Sequence, residues 1–143
     1  MPSRTVTLTL PWLLAELNPN TTQTMGRYGK RRLHWRDKAE AARDYREWAA
    51  AAVWDSDWGR AHDPAPLRPP VHATVTFLKP DRRRRDRDNM LAAFKPAWDG
   101  MQDAGLIEDD SDDKLHIDIR AEYAGKPGGV RVVLTEAQPA EEE

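Results

Sequence analysis

The sequence predicts an α+β fold in which two helices pack against a small mixed β-sheet. Two hydrophobic periodicities carry this prediction. Polar and apolar residues alternate in four segments that we expect to be strands, at residues 5–10, 71–78, 115–119 and 130–134. Apolar residues recur at helical spacing in two longer segments, at residues 35–54 and 89–104. The order β-loop-α-β-α-β-β is typical of one helical layer on one sheet.

Turn residues set the limits of these elements. The stretch 55–70 is rich in proline and predicts a linker within the domain. Pro96 predicts a kink in the second helix, and Gly105 predicts its end. The pair Gly128-Gly129 predicts a hairpin between the last two strands.

Residues 21–34 are polar and basic, contain two glycines and predict a mobile loop. Two interpretations stay open for this segment. It is either a solvated surface loop or a loop that becomes ordered on DNA phosphates.

The length of 143 residues suits a single domain, which we expect over residues 1–137, followed by an acidic, disordered tail at 138–143. The absence of cysteine excludes disulfides and thiolate metal sites. No apolar run approaches the roughly 20 residues of a membrane span. The N-terminus leads directly into a strand pattern, so we expect no signal peptide and a cytoplasmic location.

The formal net charge of −2 does not by itself favour a nucleic-acid partner. The distribution of the charge does favour such a partner, because basic residues cluster at 27–38 and 79–87, whereas acidic residues cluster at 103–113 and 141–143.

Residues 82–89 read RRRRDRDN, which places two aspartates among five arginines. Arginine attracts a polyanion, and neighbouring carboxylates hold a hard divalent cation such as Mg²⁺. The combination indicates metal-assisted chemistry on a nucleic-acid backbone, with Mn²⁺ as an expected substitute. The candidate DNA-binding residues are Arg82, Arg83, Arg84, Arg85, Arg87, Lys30, Arg31 and Arg32.

Asp86 and Asp88 share one face if their segment is extended, and they would form half of a metal site. Asp109 or Asp110 would supply a third carboxylate from beyond the second helix. Each acid also has a structural alternative. Asp88 can cap a helix that begins at Asn89, Asp86 can pair with a neighbouring arginine, and the later acids can form a solvated turn.

Lys95 follows Asp88 by two helical turns and could stabilise charge that develops on a phosphate. Its alternative is an ion pair with Asp99, four residues later. Other phosphate-binding and catalytic motifs are absent from the sequence: there is no EF-hand, metalloprotease, glycine-rich phosphate loop or nucleophile-elbow pattern.

Residues 79–89 resemble the signature of the RusA family of Holliday junction resolvases, and a phage-type variant in particular. Similarity continues in the Asp-Ala-Gly of 103–105, in the pair Asp109-Asp110 and, at the start of the chain, in residues 10–12. The resemblance implies a homodimeric, Mg²⁺-dependent endonuclease. Such an enzyme nicks four-way DNA junctions symmetrically during recombination and repair, in a bacterial or phage-infected cell.

The resemblance also implies roles for individual residues. Asp86, Asp88 and Asp110 match the three metal-binding aspartates, and Arg85 matches a DNA-contacting position. The family lysine falls at Ala92, so Lys95 lies one turn further along what looks like a lengthened helix. Two alternatives remain: a less selective fork or flap nuclease, and a DNA-binding module that does not cut.

Overall fold

The computed structural model describes residues 3–139, which form a four-stranded sheet, a separate hairpin and three helices. The strands are β1 (Thr5–Leu10), β2 (Gln23–Gly26), β3 (Gly29–Arg32), β4 (Val71–Lys79), β5 (Leu115–Tyr123) and β6 (Gly129–Thr135). The helices are α1 (Trp35–Asp55), α2 (Asp57–Arg60) and α3 (Arg87–Asp103), and a 3-10 turn spans Ala15–Leu17. The α+β prediction is confirmed.

The main sheet is mixed and has the strand order β1-β6-β4-β5. Strands β1, β6 and β4 are antiparallel neighbours, whereas β4 and β5 are parallel. A parallel pair needs a long crossover, and α3 provides it. The arginine-rich segment lies at the start of that crossover, directly after β4.

The alternation in β4 buries one face of the strand against the helices. The predicted inward-facing residues Val71, Ala73, Val75 and Phe77 are all buried. Their neighbours on β1 and β6 are also buried at every second position.

Helices α1 and α3 pack together on this face through aromatic contacts. The ring of Phe94 lies 6.0 Å from that of Tyr45 on α1 and 6.0 Å from that of Phe77 on β4, both in edge-to-face geometry. Tyr45 donates a hydrogen bond to the carbonyl of Pro11 at 2.7 Å, which ties α1 to the end of β1. Burial raises the pKa of the Tyr45 hydroxyl. Tyr45 of α1 and Phe94 and Trp98 of α3 therefore belong to the core. Three tryptophans of α1 do not, because Trp35, Trp48 and Trp54 are 70%, 40% and 50% exposed.

The predicted loop at residues 21–34 is wrong in its central part, because residues 23–32 form an antiparallel hairpin of β2 and β3. Its sequence lacks the apolar alternation that reveals a half-buried strand, since every residue of β3 is exposed. The hairpin is instead joined to the main body by Arg31, whose guanidinium binds both oxygens of Asp37 at 2.8 and 2.7 Å.

The predicted hairpin between the last two strands is also wrong. Strand β6 lies between β1 and β4, and β5 lies beyond β4 at the edge. The glycine pair still turns the chain: Gly128 has a φ of +73°, and an added Cβ would lie 2.9 Å from the carbonyl oxygen of Leu78. The glycine pair thus predicts where the chain reverses its direction. It does not predict which strand β6 pairs with after that reversal.

Helix and linker boundaries shift by small amounts. Helix α1 ends one residue later than predicted, and the linker contains the short α2. Gly105 ends α3 with a φ of +81°, as predicted. No helix within residues 3–139 is both long enough and apolar enough to cross a membrane. Most of the predicted tail, residues 140–143, lies outside the described residues.

A buried carboxylate joins the two ends of the domain. Glu136, which is 3% exposed, binds the guanidinium of Arg4 at 2.8 Å and accepts from the backbone amides of Arg4 and Arg68. The Arg4 hydrogen bond is the main cause that lowers the pKa of Glu136 from 4.5 to about 2.

We expect Glu136→Gln to lower the free energy of unfolding by about 2 kcal/mol at neutral pH, because charge-assisted hydrogen bonds are lost. The depressed pKa stabilises the fold above pH 4.5, and this contribution disappears as the pH falls towards 2. In urea unfolding, the variant and the wild type should therefore differ most at neutral pH, less at about pH 3, and little at or below about pH 2. Glu108→Gln, at an exposed pair, is the control; an equal loss there would contradict the assignment.

Candidate nucleic-acid interface and metal site

Helix α3 begins at Arg87 because Asp86 caps it. One carboxylate oxygen of Asp86, Oδ1, accepts from the backbone amides of Asp88 at 2.8 Å and Asn89 at 3.3 Å. Such caps satisfy amides that have no partner inside the helix. Two sequence interpretations are thereby corrected. Asp86 rather than Asp88 is the cap, and Asp88 lies in the first helical turn rather than on an extended segment.

Asp86 and Asp88 both retain carboxylate oxygens that a ligand can reach. The second oxygen of Asp86 makes no hydrogen bond to any residue in 3–139, and the same holds for both oxygens of Asp88. Both side chains are exposed. The capping role of Asp86 is therefore compatible with binding a cation.

Lys95 connects the acidic turn to α3. Its ammonium group lies 2.7 Å from Oδ2 of Asp110 and 3.7 Å from Oδ1 of Asp99. The alternative pairing with Asp99 is thus present but longer. The hydrogen bond to Asp110 is the main cause that raises the pKa of Lys95. Lys95 is therefore protonated at neutral pH.

The structure also distinguishes the two neighbouring acids of the turn. Asp109 accepts from the backbone amide of Ser111 at 2.6 Å, and this bond lowers the pKa of Asp109. Asp110 instead directs its carboxylate to Lys95 on α3. Of the pair, Asp110 is the residue held against the helix that carries Asp86 and Asp88.

The chemistry of these donors fits Mg²⁺, which prefers a few carboxylate oxygens and retains several waters. Residues 3–139 nevertheless contain no group of three acidic or histidine side chains already gathered around one point. The three-carboxylate site of Asp86, Asp88 and Asp110 therefore stays a prediction.

Arg85 has a structural partner that sequence inspection missed. Asp81, four residues earlier, binds its guanidinium with both oxygens at 2.7 and 3.0 Å. The guanidinium also lies over the ring of Trp12, 5.2 Å from its centroid. The Arg85 bond is the main cause that lowers the pKa of Asp81. The spacing of four residues between Asp81 and Arg85 could have predicted this ion pair. The pair shapes the segment before α3.

The other candidate DNA-binding cations differ in whether another described residue already interacts with them. Arg82 stacks on Tyr123 at 4.1 Å, Arg83 lies 3.5 Å from Asp81, and Arg31 is bound to Asp37. The exposed candidate cations with neither an ion pair nor an aromatic ring as partner among the described residues are Arg84, Arg87, Lys30 and Arg32. Their role in DNA binding stays a prediction.

A cleft of about 660 Å³ lies beside the start of α3. One wall comes from the arginine segment and from α3, and includes Arg84, Asp86 and Asn89. The opposite wall comes from residues 12–21, which follow β1. The cleft therefore brings the segment after β1 to face the acidic and basic groups after β4.

Comparisons with known proteins find similarity over part of the chain. No family model matches the chain. A protein of Xylella fastidiosa named only as uncharacterized is 34% identical over 102 residues, which are 71% of this chain and 59% of that protein. The crossover junction endodeoxyribonuclease RusA of Aquifex aeolicus is 36% identical over 64 residues, which are 45% of this chain and 47% of that enzyme. The matches thus span about half the length of these relatives, and the partial similarity suggests the RusA family.

The cap allows the structural role of Asp86 to be measured separately from any chemistry. We expect Asp86→Ala to lower the free energy of unfolding by about 1 kcal/mol, because two helix amides lose their acceptor. Asp86→Asn keeps an acceptor oxygen and should cost only a few tenths of that. Thermal or urea unfolding checks the difference. Equal stability of the two variants would contradict the cap.

Proposed function

We propose that this chain belongs to the RusA family and is a Mg²⁺-dependent endonuclease that cuts branched DNA. The observation that supports this most is the Lys95–Asp110 contact of 2.7 Å. It holds an acid from a distant part of the chain against the helix whose first turn carries Asp86 and Asp88.

The geometry of α3 supports a shared site for these groups. Asp88 and Lys95 are two turns apart, or roughly 10 Å along the axis, and lie on the same side of the helix. The ammonium group of Lys95 lies against Asp110 at 2.7 Å and Asp99 at 3.7 Å. Bound Mg²⁺ would supply a nucleophile at neutral pH and offset negative charge on the scissile phosphate.

The residues of the chain would perform the remaining tasks. Asp86, Asp88 and Asp110 would bind the cation through their available oxygens. Lys95 is protonated, so it cannot act as a general base; it would instead donate to a phosphate oxygen as charge develops there.

The unpaired cations would bind the backbone on both sides of the cut. Arg84 and Arg87 flank the first turn of α3, where the helix dipole also favours an anion. Lys30 and Arg32 lie on the exposed hairpin. Contacts of this kind carry little sequence information, so we propose that the shape of a four-way junction determines recognition. A two-fold homodimer would match the symmetry of such a junction and allow paired cuts.

A second function has an observation in its favour. Asp86 caps α3 and Asp110 pairs with Lys95, so two of the three acids already have structural roles. A DNA-binding module that does not cut would need no more than this. A fork or flap nuclease would share the chemistry and differ only in the DNA shape that it selects.

A panel of junction, fork, flap and linear duplex DNA, with and without Mg²⁺, distinguishes these functions. We expect opposed nicks in the junction only with Mg²⁺, and we expect Asp88→Asn to bind but not to cut. The side chain of Asp88 makes no hydrogen bond to a residue in 3–139, and its backbone amide keeps its bond to Asp86, so this substitution should leave the fold intact. Asp112→Asn, an exposed acid of the same turn region, is the control and should cut normally. Cleavage by Asp88→Asn at the normal rate would reject the site, and binding without cleavage by the wild type would favour the module.

Lys95 provides a separate test. We expect Lys95→Gln to slow cleavage on the order of a hundredfold, because a charged donor to the phosphate is lost. Binding of the junction should change little, since many other cations contribute. Single-turnover rates and gel-shift titrations separate these effects, with Lys114→Gln as the control at another exposed ion pair. A normal cleavage rate would reject a role for the Lys95 charge in cleavage, both at the phosphate and in holding Asp110.

A further inference from the structure

The hairpin of β2 and β3 is attached to the rest of the protein through one of its two faces. Thr24 donates a side-chain hydrogen bond to Glu16 at 3.2 Å, and Arg31, which lies directly opposite Thr24 in the hairpin, binds Asp37. Side chains alternate between the two faces of a strand, so the neighbouring positions point the other way. That second face carries four exposed side chains, Gln23, Met25, Lys30 and Arg32. A two-stranded hairpin has no core of its own to bury them in, and they are therefore available to a ligand.

Two aromatic side chains, one at the tip and one at the base of the hairpin, take no part in the core. Tyr28 lies in the turn between β2 and β3 and is 93% exposed, whereas Trp35 begins α1 and is 70% exposed. Each ring has a sequence neighbour beside it, because the guanidinium groups of Arg27 and Arg36 lie 5.7 Å from the ring centroids of Tyr28 and Trp35 respectively. Aromatic rings usually contribute to stability by burial. Most of the surface of these two rings instead remains open to solvent.

The segment that carries the two rings is strongly basic. No acidic residue occurs between Thr21 and the start of the first turn of α1 at Arg36. The same stretch contains five cations, Arg27, Lys30, Arg31, Arg32 and Arg36. Among the residues that the structure describes, a carboxylate pairs with only one of the five, Arg31. Four cations thus remain for a polyanion, and along the chain they alternate with exposed aromatic rings.

We propose that the exposed face of the hairpin and the first residue of α1 bind single-stranded DNA. Tyr28 and Trp35 stack on unpaired bases, and Lys30 and Arg32 bind the phosphates between them. Proteins hold single strands in this way, with cations along the backbone and aromatic rings against the bases. Stacking of this kind tolerates any sequence, because every base has an aromatic face.

The rings favour a single strand over a duplex. Cations alone suffice to bind the phosphates of either form. In a duplex the faces of the bases are covered by their neighbours in the stack, so an exposed ring has nothing to stack on. The inference goes beyond the proposed function, because this contact needs neither a bound metal nor a cut.

The hairpin also adjoins the candidate site. Thr21 lines the cleft beside α3, and β2 begins two residues later at Gln23. Bases become unpaired where the arms of branched DNA separate, so the hairpin would hold a separated strand next to the cleft. This consequence, unlike the binding itself, rests on the proposed function.

Fluorescence anisotropy with the full chain and a labelled oligothymidylate, in the presence of EDTA, measures the contact without cleavage. We expect Tyr28→Leu and Trp35→Leu each to raise the dissociation constant on the order of tenfold, because a stacking ring is lost while apolar bulk is kept. Tyr28→Phe keeps the ring and should bind like the wild type. Trp54→Leu, which removes an exposed ring at the other end of α1, is the control and should also bind normally. Circular dichroism of each variant checks that it is folded.

Two further measurements separate the rings from the charges. An abasic strand of the same length keeps the phosphates but has no bases, so the wild type and Tyr28→Leu should bind it with equal affinity. Lys30→Gln and Arg32→Gln should each reduce the slope of log affinity against log salt concentration by roughly 0.7, because each removes one phosphate contact. Tyr28→Leu should leave that slope unchanged.

Failure of the wild type to bind oligothymidylate would overturn the proposal. Normal affinity of Tyr28→Leu and Trp35→Leu would overturn it too, as would equal weakening by Trp54→Leu or equal weakening by Tyr28→Leu on the abasic strand. Binding to phosphatidylserine vesicles without binding to the oligonucleotide would replace DNA with a lipid surface. Asp88→Asn should bind oligothymidylate like the wild type, so loss of the nuclease proposal and loss of this one are separate results.

Discussion

The candidate site depends on the position at which α3 begins. Asp86 accepts two backbone amides through a single oxygen, and this fixes the first turn of α3 directly after the arginine segment. The first turn then presents Asp88, and two turns later the helix presents Lys95, which holds Asp110. One cap thus positions groups that are far apart in the sequence.

The topology of the sheet explains how these groups are arranged along α3. Because β4 and β5 are parallel, the chain must return along the whole sheet between them, and α3 makes that crossing. The segment that leaves β4 and the turn that precedes β5 therefore lie at the two ends of α3. Lys95, near the middle of the helix, reaches the acidic turn and pairs with Asp110 at 2.7 Å.

The sequence correctly predicted the helices and strands in which buried residues recur at a regular spacing. The four residues of β4 that alternate at 71–77 are buried as predicted, and both long helices are present. The sequence did not predict the features that depend on how strands pair rather than on which residues are buried. The basic hairpin has no buried face to reveal it, and the glycine pair at 128–129 does not show that β6 inserts between β1 and β4. The cap was assigned to Asp88 instead of Asp86 because a two-residue error in a helix boundary changes the role of each aspartate.

The proposed convergence of both acidic segments on one cation can be measured directly by NMR with paramagnetic Mn²⁺. We expect Mn²⁺ at low occupancy to broaden the amide resonances of residues 86–89 and 109–111 together, with one affinity, and Asp88→Asn to weaken both effects. Independent broadening of the two segments at different Mn²⁺ concentrations, or broadening of only one of them, would contradict a shared site.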